Sequence, residues 1–277
     1  RLVPPARPAY VAVMMQFLPF MPPRPLVAVV RLNGVIAAGA RGLNDASVAG
    51  LLQRAFTRGK PKAVALVINS PGGSPTQSSL IGARIRRLAE EHKTPVIAFV
   101  EDVAASGGYW LAAAADEIVV DANSVTGSIG VISGGFGLHD AIGRIGVERR
   151  VHTAGQSKSF MDPFQPEKPE DVARLNDILE QIHGNFIDHV KARRGARLDA
   201  TRDLFTGEIW VGPKAVEVGL ADKVGHLVPE MKARYGDKVR FAVYGPRRSL
   251  LRRLGGEVLT GALQAAEERA LMARFGL

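Results

Sequence analysis

Short apolar runs alternate with amphipathic segments in the first half of the chain, and this alternation limits the fold more than any other feature. The runs are PLVAVVRLNGVI from residue 25, KAVALVINS from residue 62 and TPVIAFVED from residue 94. Apolar residues fill both odd and even positions of each run, which is typical of parallel strands covered on both faces. We therefore predict an α/β fold with repeated βα units around a mostly parallel sheet.

The segments between these runs carry helix boundaries. LNDASVAGLLQRAFTRG has Asn44 or Asp45 as its cap and stops at Gly59, and SSLIGARIRRLAEEHK ends at Lys93. These are the residue types that begin and end helices. Chemistry gathers at the carboxyl ends of parallel strands, so we expect a functional site where INSPGG and AASGGYW follow their strands.

The second half of the chain is predicted to add a helical arm to the same domain. GLHDAIGRIGVERRVHTAGQSKSF, residues 137–160, predicts a helix, then a strand, then a loop. A long polar helix is predicted from about Glu167 to Arg194, and we expect His183 and His189 to lie on its solvated side. GEIWVGPKAVEVGLADKVG then predicts a strand, a helix and a strand.

The composition excludes several kinds of site. The chain has no cysteine, which rules out disulfides, thiolate zinc sites and cysteine nucleophiles. Its six histidines lack a metal-ligand spacing such as H-E-x-x-H. We therefore expect no metal and no other cofactor.

The two ends of the chain differ from its middle. Residues 1–25 are a proline-rich apolar segment. Its apolar run, residues 9–21, is interrupted by Gln16 and Pro19 and is too short for a membrane-spanning helix, which needs about 20 apolar residues. Residues 246–277 combine clustered arginines with leucines at helical spacing, which predicts a basic amphipathic helix. This helix is expected to pack on its own domain or to contact a membrane surface or a partner. Residues 26–245 remain as the single α/β domain.

The net charge of +9 would suit an anionic partner. The basic residues near the C-terminus have no aromatic residues among them, whereas proteins that bind single-stranded nucleic acid combine the two. We therefore do not expect nucleic acid as a partner. The positive charge would also suit peripheral contact with an anionic membrane surface, or simple solubility.

Ser106 stands among small residues in AASGGYW, at the point where a strand is predicted to give way to a helix. A serine there is often only a helix cap. It could instead be a nucleophile, because the backbone N–H groups at the start of the following helix are free to receive an oxyanion. Gly107 and Gly108 would leave room for an acyl group. Gly72 and Gly73, at the end of the preceding strand, could present further donors.

A serine nucleophile needs a base, and the sequence offers two kinds. The G-x-S-x-G turn of α/β-hydrolases has its first glycine replaced by Ala104, so a Ser-His-Asp hydrolase stays open as an alternative. A lysine can also serve, because burial disfavours its charged form. Lys158 lies in the small and polar loop HTAGQSKSF, directly after an apolar run.

Four small-residue motifs follow one another along the chain: INSPGG, AASGGYW, TGSIGV and GQSKS. Together they resemble the signal peptide peptidase A family of membrane-associated bacterial serine proteases, in its short, single-repeat form. The resemblance extends over about residues 26–245 and implies the ClpP/crotonase-like fold. It implies that Ser106 is the nucleophile, that Lys158 is the general base and that Ser128 hydrogen-bonds the lysine.

The resemblance also implies an oxyanion hole and partners. Gly73 and Gly107 would donate their backbone N–H groups to the oxyanion. Short family members form homo-oligomeric rings in which the lysine reaches the serine of a neighbouring subunit. Peptides or proteins, such as signal-peptide remnants or misfolded and membrane-derived chains, would be the substrates. A bacterial protein, associated with the membrane or in the cytoplasm, is expected, although the family's usual N-terminal anchor is not evident.

Three alternatives remain open at the level of the sequence. A crotonase-like acyl-CoA enzyme would use Glu101 or Asp102 as its acid or base, and an inactive scaffold of the same fold would use neither. A Ser-His-Asp hydrolase would lose its activity when a histidine is removed and would tolerate replacement of Lys158.

Overall fold

The computed structural model describes residues 24–39, 42–155, 157–245, 272–273 and 275 of the 277-residue chain. The N-terminal segment 1–25 and the C-terminal helix 246–277 fall almost wholly outside the described residues, so the predictions for both remain predictions. Within the described part of the chain, no helix is long and apolar enough to cross a membrane.

One eight-stranded sheet forms the centre of the described part. Its strands are β1 Leu26–Asn33, β2 Ala63–Ser70, β3 Val96–Ala105, β4 Glu117–Val120, β5 Val125–Gly127, β6 Ile209–Val211, β7 Lys223–Val224 and β8 Arg240–Tyr244. The order is β6-β5-β3-β2-β1-β8, with β4 beside β3 and β7 beside β4. Every pairing is parallel except that of β5 with β6. The predicted mostly parallel α/β sheet is confirmed.

The helices follow the predicted alternation. They are α1 Asp45–Thr57, α2 Pro75–His92, α3 Gly107–Ala113, α4 His139–Arg144, α5 Pro169–Arg194, α6 Gly212–Glu217 and α7 Leu227–Tyr235. Asn44 caps α1 with a reciprocal capping box, and Lys93 ends α2 in the left-handed conformation, both where the sequence predicts a boundary.

The prediction of a strand after α4 is wrong. Residues 147–153 form no strand, and most of them are exposed. A strand needs a neighbour to receive its backbone hydrogen bonds, and none of the eight described strands pairs with this segment. Three consecutive charged residues, Glu148, Arg149 and Arg150, separate its two valines, a pattern that also fits an extended surface segment.

Both faces of the central strands are buried. In β1, Ala28, Val30 and Leu32 face a large cluster that includes the apolar sides of α1, α2 and α3. Val27 and Val29 face a second, smaller cluster that contains Met231 of α7. Each buried side chain of this size contributes about 1.5–3 kcal/mol through the hydrophobic effect. The two-sided burial explains why the strands read as continuous apolar runs.

Strand β3 pairs with β4 along its first part and with β5 at its end. Val100 pairs with β4, whereas Val103 pairs with β5. Between them the register against β2 slips, and Glu101 and Asp102 project outward. The hydroxyl of Ser124 lies within hydrogen-bond distance of the Val100 and Glu101 carbonyls and braces the slip. The end of β3 is thereby placed between β2 and β5.

Candidate active site

A cleft of about 380 Å³ opens at the carboxyl ends of β2, β3 and β5. Its polar and glycine lining is Gly72, Gly73, Ser78, Ser106, Gly107, Ser128, Gly130, Thr206 and Gly207. Its apolar lining is Pro71, Pro75, Trp110, Val131, Ile132, Ile182, Phe186 and Phe275. The expected position of the site, at the carboxyl ends of parallel strands, agrees with this cleft.

Ser106 occupies the N-cap position of α3, but its side chain does not cap the helix. A capping serine has an extended backbone, and its side chain accepts a bond from the first turn. Ser106 has φ 51° and ψ −122°, and its side chain makes no capping hydrogen bond. A non-glycine residue in this region costs about 1–3 kcal/mol and persists only where its surroundings fix it. Here the Ser106 N–H donates to the Gly127 carbonyl at 2.9 Å and its carbonyl accepts from Trp110 N–H at 3.0 Å.

The helix behind Ser106 is anchored by its aromatic residues. Tyr109 is fully buried, and its hydroxyl donates to the Leu220 carbonyl at 2.8 Å. Burial raises the pKa of Tyr109 far above its usual value, so the hydroxyl stays protonated as a donor. This buried contact anchors α3 directly behind Ser106.

Residues 70–74, which we call the donor turn, fit only with glycine at two positions. Gly73 has φ 136°, and a β-carbon there would overlap the Ile36 carbonyl oxygen. Gly72 has φ 100°, and a β-carbon there would lie 2.7 Å from the Gly107 nitrogen. The donor turn thus packs directly against the first residue of α3.

The Gly73 and Gly107 N–H groups are two free backbone donors that line the cleft with Ser106. Within the described residues, neither group donates a hydrogen bond to a protein acceptor. The neighbouring groups are occupied, since Ile36 N–H donates to Gly72 and Ser74 N–H donates to Ile36. Two unpaired backbone donors beside a serine are the parts of an oxyanion hole.

Ser70 fixes the donor turn and was missed at the level of the sequence. Its hydroxyl donates to the Gly34 carbonyl at 2.7 Å and accepts from the Gly72 N–H at 3.2 Å. Ser70 is fully buried. Its position, as a polar residue at the end of an otherwise apolar strand, was the sequence feature that could have indicated its role.

Ser128 lies at the end of β5, beside Ser106. It lines the cleft and also has a left-handed backbone, with φ 51°. Its N–H donates to the Glu208 carbonyl at 2.7 Å. The preceding residue, Gly127, accepts from Ser106, so the two serines are joined through one backbone hydrogen bond.

Lys158 does not line the cleft. It lies in the exposed loop between α4 and α5. The structure therefore brings together Ser106, Ser128, Gly73 and Gly107, and leaves Lys158 apart. No described residue lining the cleft is a lysine, a histidine or a carboxylate, so the described part of one chain brings a serine and free backbone N–H groups together in the cleft without a base beside them.

The carboxylates that an acyl-CoA enzyme would use are engaged elsewhere. Glu101 forms an ion pair with Arg31 at 3.1 Å, and Asp102 accepts a hydrogen bond from the Asn69 side chain. Both lie on the projecting part of β3 rather than in the cleft.

The expectation that His183 and His189 are solvated is wrong. The His189 ring stacks on Trp110 with centroids 4.4 Å apart, and its Nε2 lies 3.1 Å from the Trp110 carbonyl oxygen. Burial lowers the pKa of His189 below its usual value. His183 Nε2 lies 3.1 Å from the Ile129 carbonyl oxygen. Helix α5 is polar in composition, but one side of it packs on the cleft, and the buried Phe186 on that side was the available signal.

Comparisons with known proteins concern the family to which the chain is related. The sequence model of peptidase family S49 matches residues 89–234, more than half of the chain. A Brucella melitensis protein named Na(+)/H(+) antiporter NhaA is 46% identical over 91% of this chain and 37% of its own length. Protease 4 of Haemophilus influenzae is 33% identical over 72% of this chain and 32% of its own length. The chain thus spans about a third of each relative.

Among solved structures, the chain resembles a mutant of the 1510-N membrane-bound stomatin-specific protease. The TM-score is 0.50 and the sequence identity is 17%, over 82% of this chain and 99% of that chain. At this identity the likeness establishes the α/β fold alone.

Proposed function

Because the chain belongs to peptidase family S49, we propose that it is a serine endopeptidase that cleaves peptide bonds through an acyl-enzyme on Ser106. The observation that carries the proposal is the strained Ser106 backbone beside the two free N–H groups of Gly73 and Gly107. Such a backbone exposes the serine hydroxyl, and the adjacent donors stabilise the charge that develops on the substrate carbonyl oxygen.

The reaction divides into two steps. A base takes the Ser106 proton while Oγ attacks the scissile carbonyl carbon, and the Gly73 and Gly107 N–H groups hold the oxyanion. The carbon–nitrogen bond then breaks, and the protonated base gives its proton to the leaving amine. In the second step water attacks the acyl group, the base takes the water proton, and Ser106 regains its proton as the ester bond breaks.

We assign the base to Lys158 of a neighbouring copy in a homo-oligomeric ring. The described lining of the cleft holds no base of its own, and Lys158 lies on an exposed loop. The same part of the chain, residues 131–168, which we call the base segment, exposes Ile132, Phe136, Ile145 and Val147. Exposed apolar side chains grouped in this way mark interfaces between proteins. Ser128 would then orient the lysine amino group.

Apolar peptides are the proposed substrates, with signal-peptide remnants and membrane-derived peptides as the class expected from the family resemblance. Trp110, Phe186, Ile182 and Ile132 give the cleft an apolar lining. An apolar pocket favours apolar side chains by about 1–3 kcal/mol per group that fills it. Peripheral contact with a membrane through the basic C-terminal segment would bring such peptides close.

The direct test is a fluorophosphonate probe, which reacts with activated serines. Wild-type protein, Ser106→Ala and Lys158→Ala are incubated with the probe, and the labelled residue is identified by mass spectrometry. We expect labelling at Ser106 in the wild type, none in Ser106→Ala, and strongly reduced labelling in Lys158→Ala. Undiminished labelling or peptidase activity in Ser106→Ala would overturn the proposal.

A further inference from the structure

We infer that His183 is a positioning residue for the reaction, because it holds the turn that presents Ser128 to the cleft. The inference rests on the proposed function, since it assigns Ser128 a part in orienting the base. His183 lies on α5, and its Nε2 donates to the Ile129 carbonyl oxygen at 3.1 Å.

The turn formed by residues 127–130, which we call the Ser128 turn, is held mainly by backbone hydrogen bonds. Its Gly127 carbonyl accepts from Ser106, its Ser128 N–H donates to Glu208, and its Gly130 N–H donates to Ser128 at 3.0 Å. Within the described residues, His183 is the one side chain that hydrogen-bonds this turn. The bond joins the turn to α5, which also lines the cleft.

The Ser128 turn needs such a contact because its backbone is strained. Ser128 adopts φ 51° without being a glycine, and this conformation persists only where neighbours fix it from several sides. Ile129 is fully buried, so its carbonyl would lose its partner without water to replace it if the imidazole were removed. The turn would then relax, and Ser128 would move with it.

His183 acts here as a hydrogen-bond donor and not as a base. A carbonyl oxygen only accepts, so Nε2 must carry the proton in this bond. The ring does not line the cleft beside Ser106. A glutamine amide can replace an imidazole N–H as a donor but cannot accept a proton from serine, and this difference separates the two roles.

His189 provides a matched control on the same helix. Its Nε2 makes a bond of the same kind and length, 3.1 Å, but to the Trp110 carbonyl of α3. Trp110 belongs to the apolar lining, whereas Ser128 belongs to the proposed proton-transfer machinery. Loss of the His189 bond should therefore alter KM, and loss of the His183 bond should alter kcat.

The experiment compares His183→Leu, His183→Gln, His189→Leu and His189→Gln, with kcat and KM measured on an apolar peptide. We expect kcat to fall about tenfold or more in His183→Leu with KM changed little, because a small displacement of a positioning group is costly in rate. His183→Gln should retain most of the wild-type kcat. If His183→Leu fails to fold, His183→Asn, whose shorter amide cannot reach Ile129, carries the same expectation.

A double-variant cycle tests whether His183 acts through Ser128. If it does, adding His183→Leu to Ser128→Ala should lower kcat no further, since coupled residues are not additive. The inference is wrong if the two effects multiply, if His183→Leu keeps the wild-type kcat, or if His183→Gln is as slow as His183→Leu. An active Ser106→Ala protein would instead overturn the proposed function itself, so the two failures are distinguishable.

Discussion

The donor turn and the base segment are built in opposite ways. Most of the donor turn and the neighbouring start of α3 are buried, although Gly73 itself is exposed. The Ser70 hydroxyl donates to the Gly34 carbonyl, and backbone hydrogen bonds with Ile36 hold the turn. The base segment exposes apolar side chains, and within its described residues it forms no strand with the sheet. In the proposed mechanism, one chain completes the part of the site that binds the substrate carbonyl. On the proposed function, the part that moves protons is completed by a second copy.

Replacing Gly73 in the donor turn should have the largest effect. In Gly73→Ala the new β-carbon overlaps the Ile36 carbonyl, and alanine disfavours φ 136°. We expect displacement of the N–H donor to lower kcat by roughly 10²–10³. The free energy of unfolding should fall by about 1–3 kcal/mol.

The matched control lies in the base segment. Gly134 has open space around it, so Gly134→Ala should change the free energy of unfolding by no more than about 0.5 kcal/mol. Denaturant unfolding and peptide hydrolysis measure both variants. Wild-type rates in folded Gly73→Ala would show that the Gly73 N–H is not an oxyanion donor.

Polar replacement of the exposed apolar residues should have the next largest effect. Phe136 is 85% exposed and Ile145 is 75% exposed in the single chain. We expect the double variant Phe136→Ser, Ile145→Ser to lose its oligomeric mass in light scattering and, with it, most of its activity, while its circular dichroism is unchanged. Val228→Ser, at a position 47% exposed on α7, is the control that should remain oligomeric and active. An active monomer would remove the need for a second copy.

Mixing two inactive variants should give a smaller, positive effect. Ser106→Ala supplies Lys158 and Lys158→Ala supplies Ser106, so a ring containing both can form complete sites between neighbours. In a random equal mixture, roughly a quarter of the interfaces would be complete. Ser106→Ala mixed with the double variant Ser106→Ala, Lys158→Ala provides no complete site and is the control. If the first mixture stays as inactive as the control, the base does not come from a neighbouring chain.

The central strands could be predicted from the sequence because burial on both faces requires apolar residues at consecutive positions. β1, β2 and β3 are apolar at consecutive positions, and a strand buried on both faces is the simplest structure with that property. The glycines of the donor turn could be predicted for a similar reason. Positive φ and close packing both require glycine, and the sequence records that requirement directly.

The geometry of Ser106 and the contacts of α5 could not be predicted in this way. A capping serine and a strained serine have the same neighbours in sequence, and only the backbone angles separate them. His183 and His189 lie in a helix of mostly polar composition, where periodicity records apolar burial but not hydrogen bonds to distant carbonyls. The prediction of a strand after α4 failed for a similar reason, because the local sequence does not show whether a neighbouring strand is present to pair with it.

The smallest expected effect concerns His189, which stacks on Trp110 of the cleft lining. It is a dependence of the free energy of unfolding on pH. Burial lowers the pKa of His189 below its usual 6.5, partly offset by the hydrogen bond to Trp110, and the Arg193 charge lowers it further. The unfolded chain therefore binds a proton at a higher pH than the folded chain does. The stabilising contribution is complete above pH 6.5 and is lost as the pH falls from there toward the lowered pKa.

The variant His189→Gln keeps a donor for the Trp110 carbonyl but has no titrating ring. We expect its free energy of unfolding, measured by denaturant titration between pH 7.5 and pH 5 (roughly the range in which histidines titrate), to depend less on pH than that of the wild type. A wild-type slope that survives in His189→Gln would mean that the ring on Trp110 does not resist protonation. Burial of His189 against Trp110 would then not hinder its protonation.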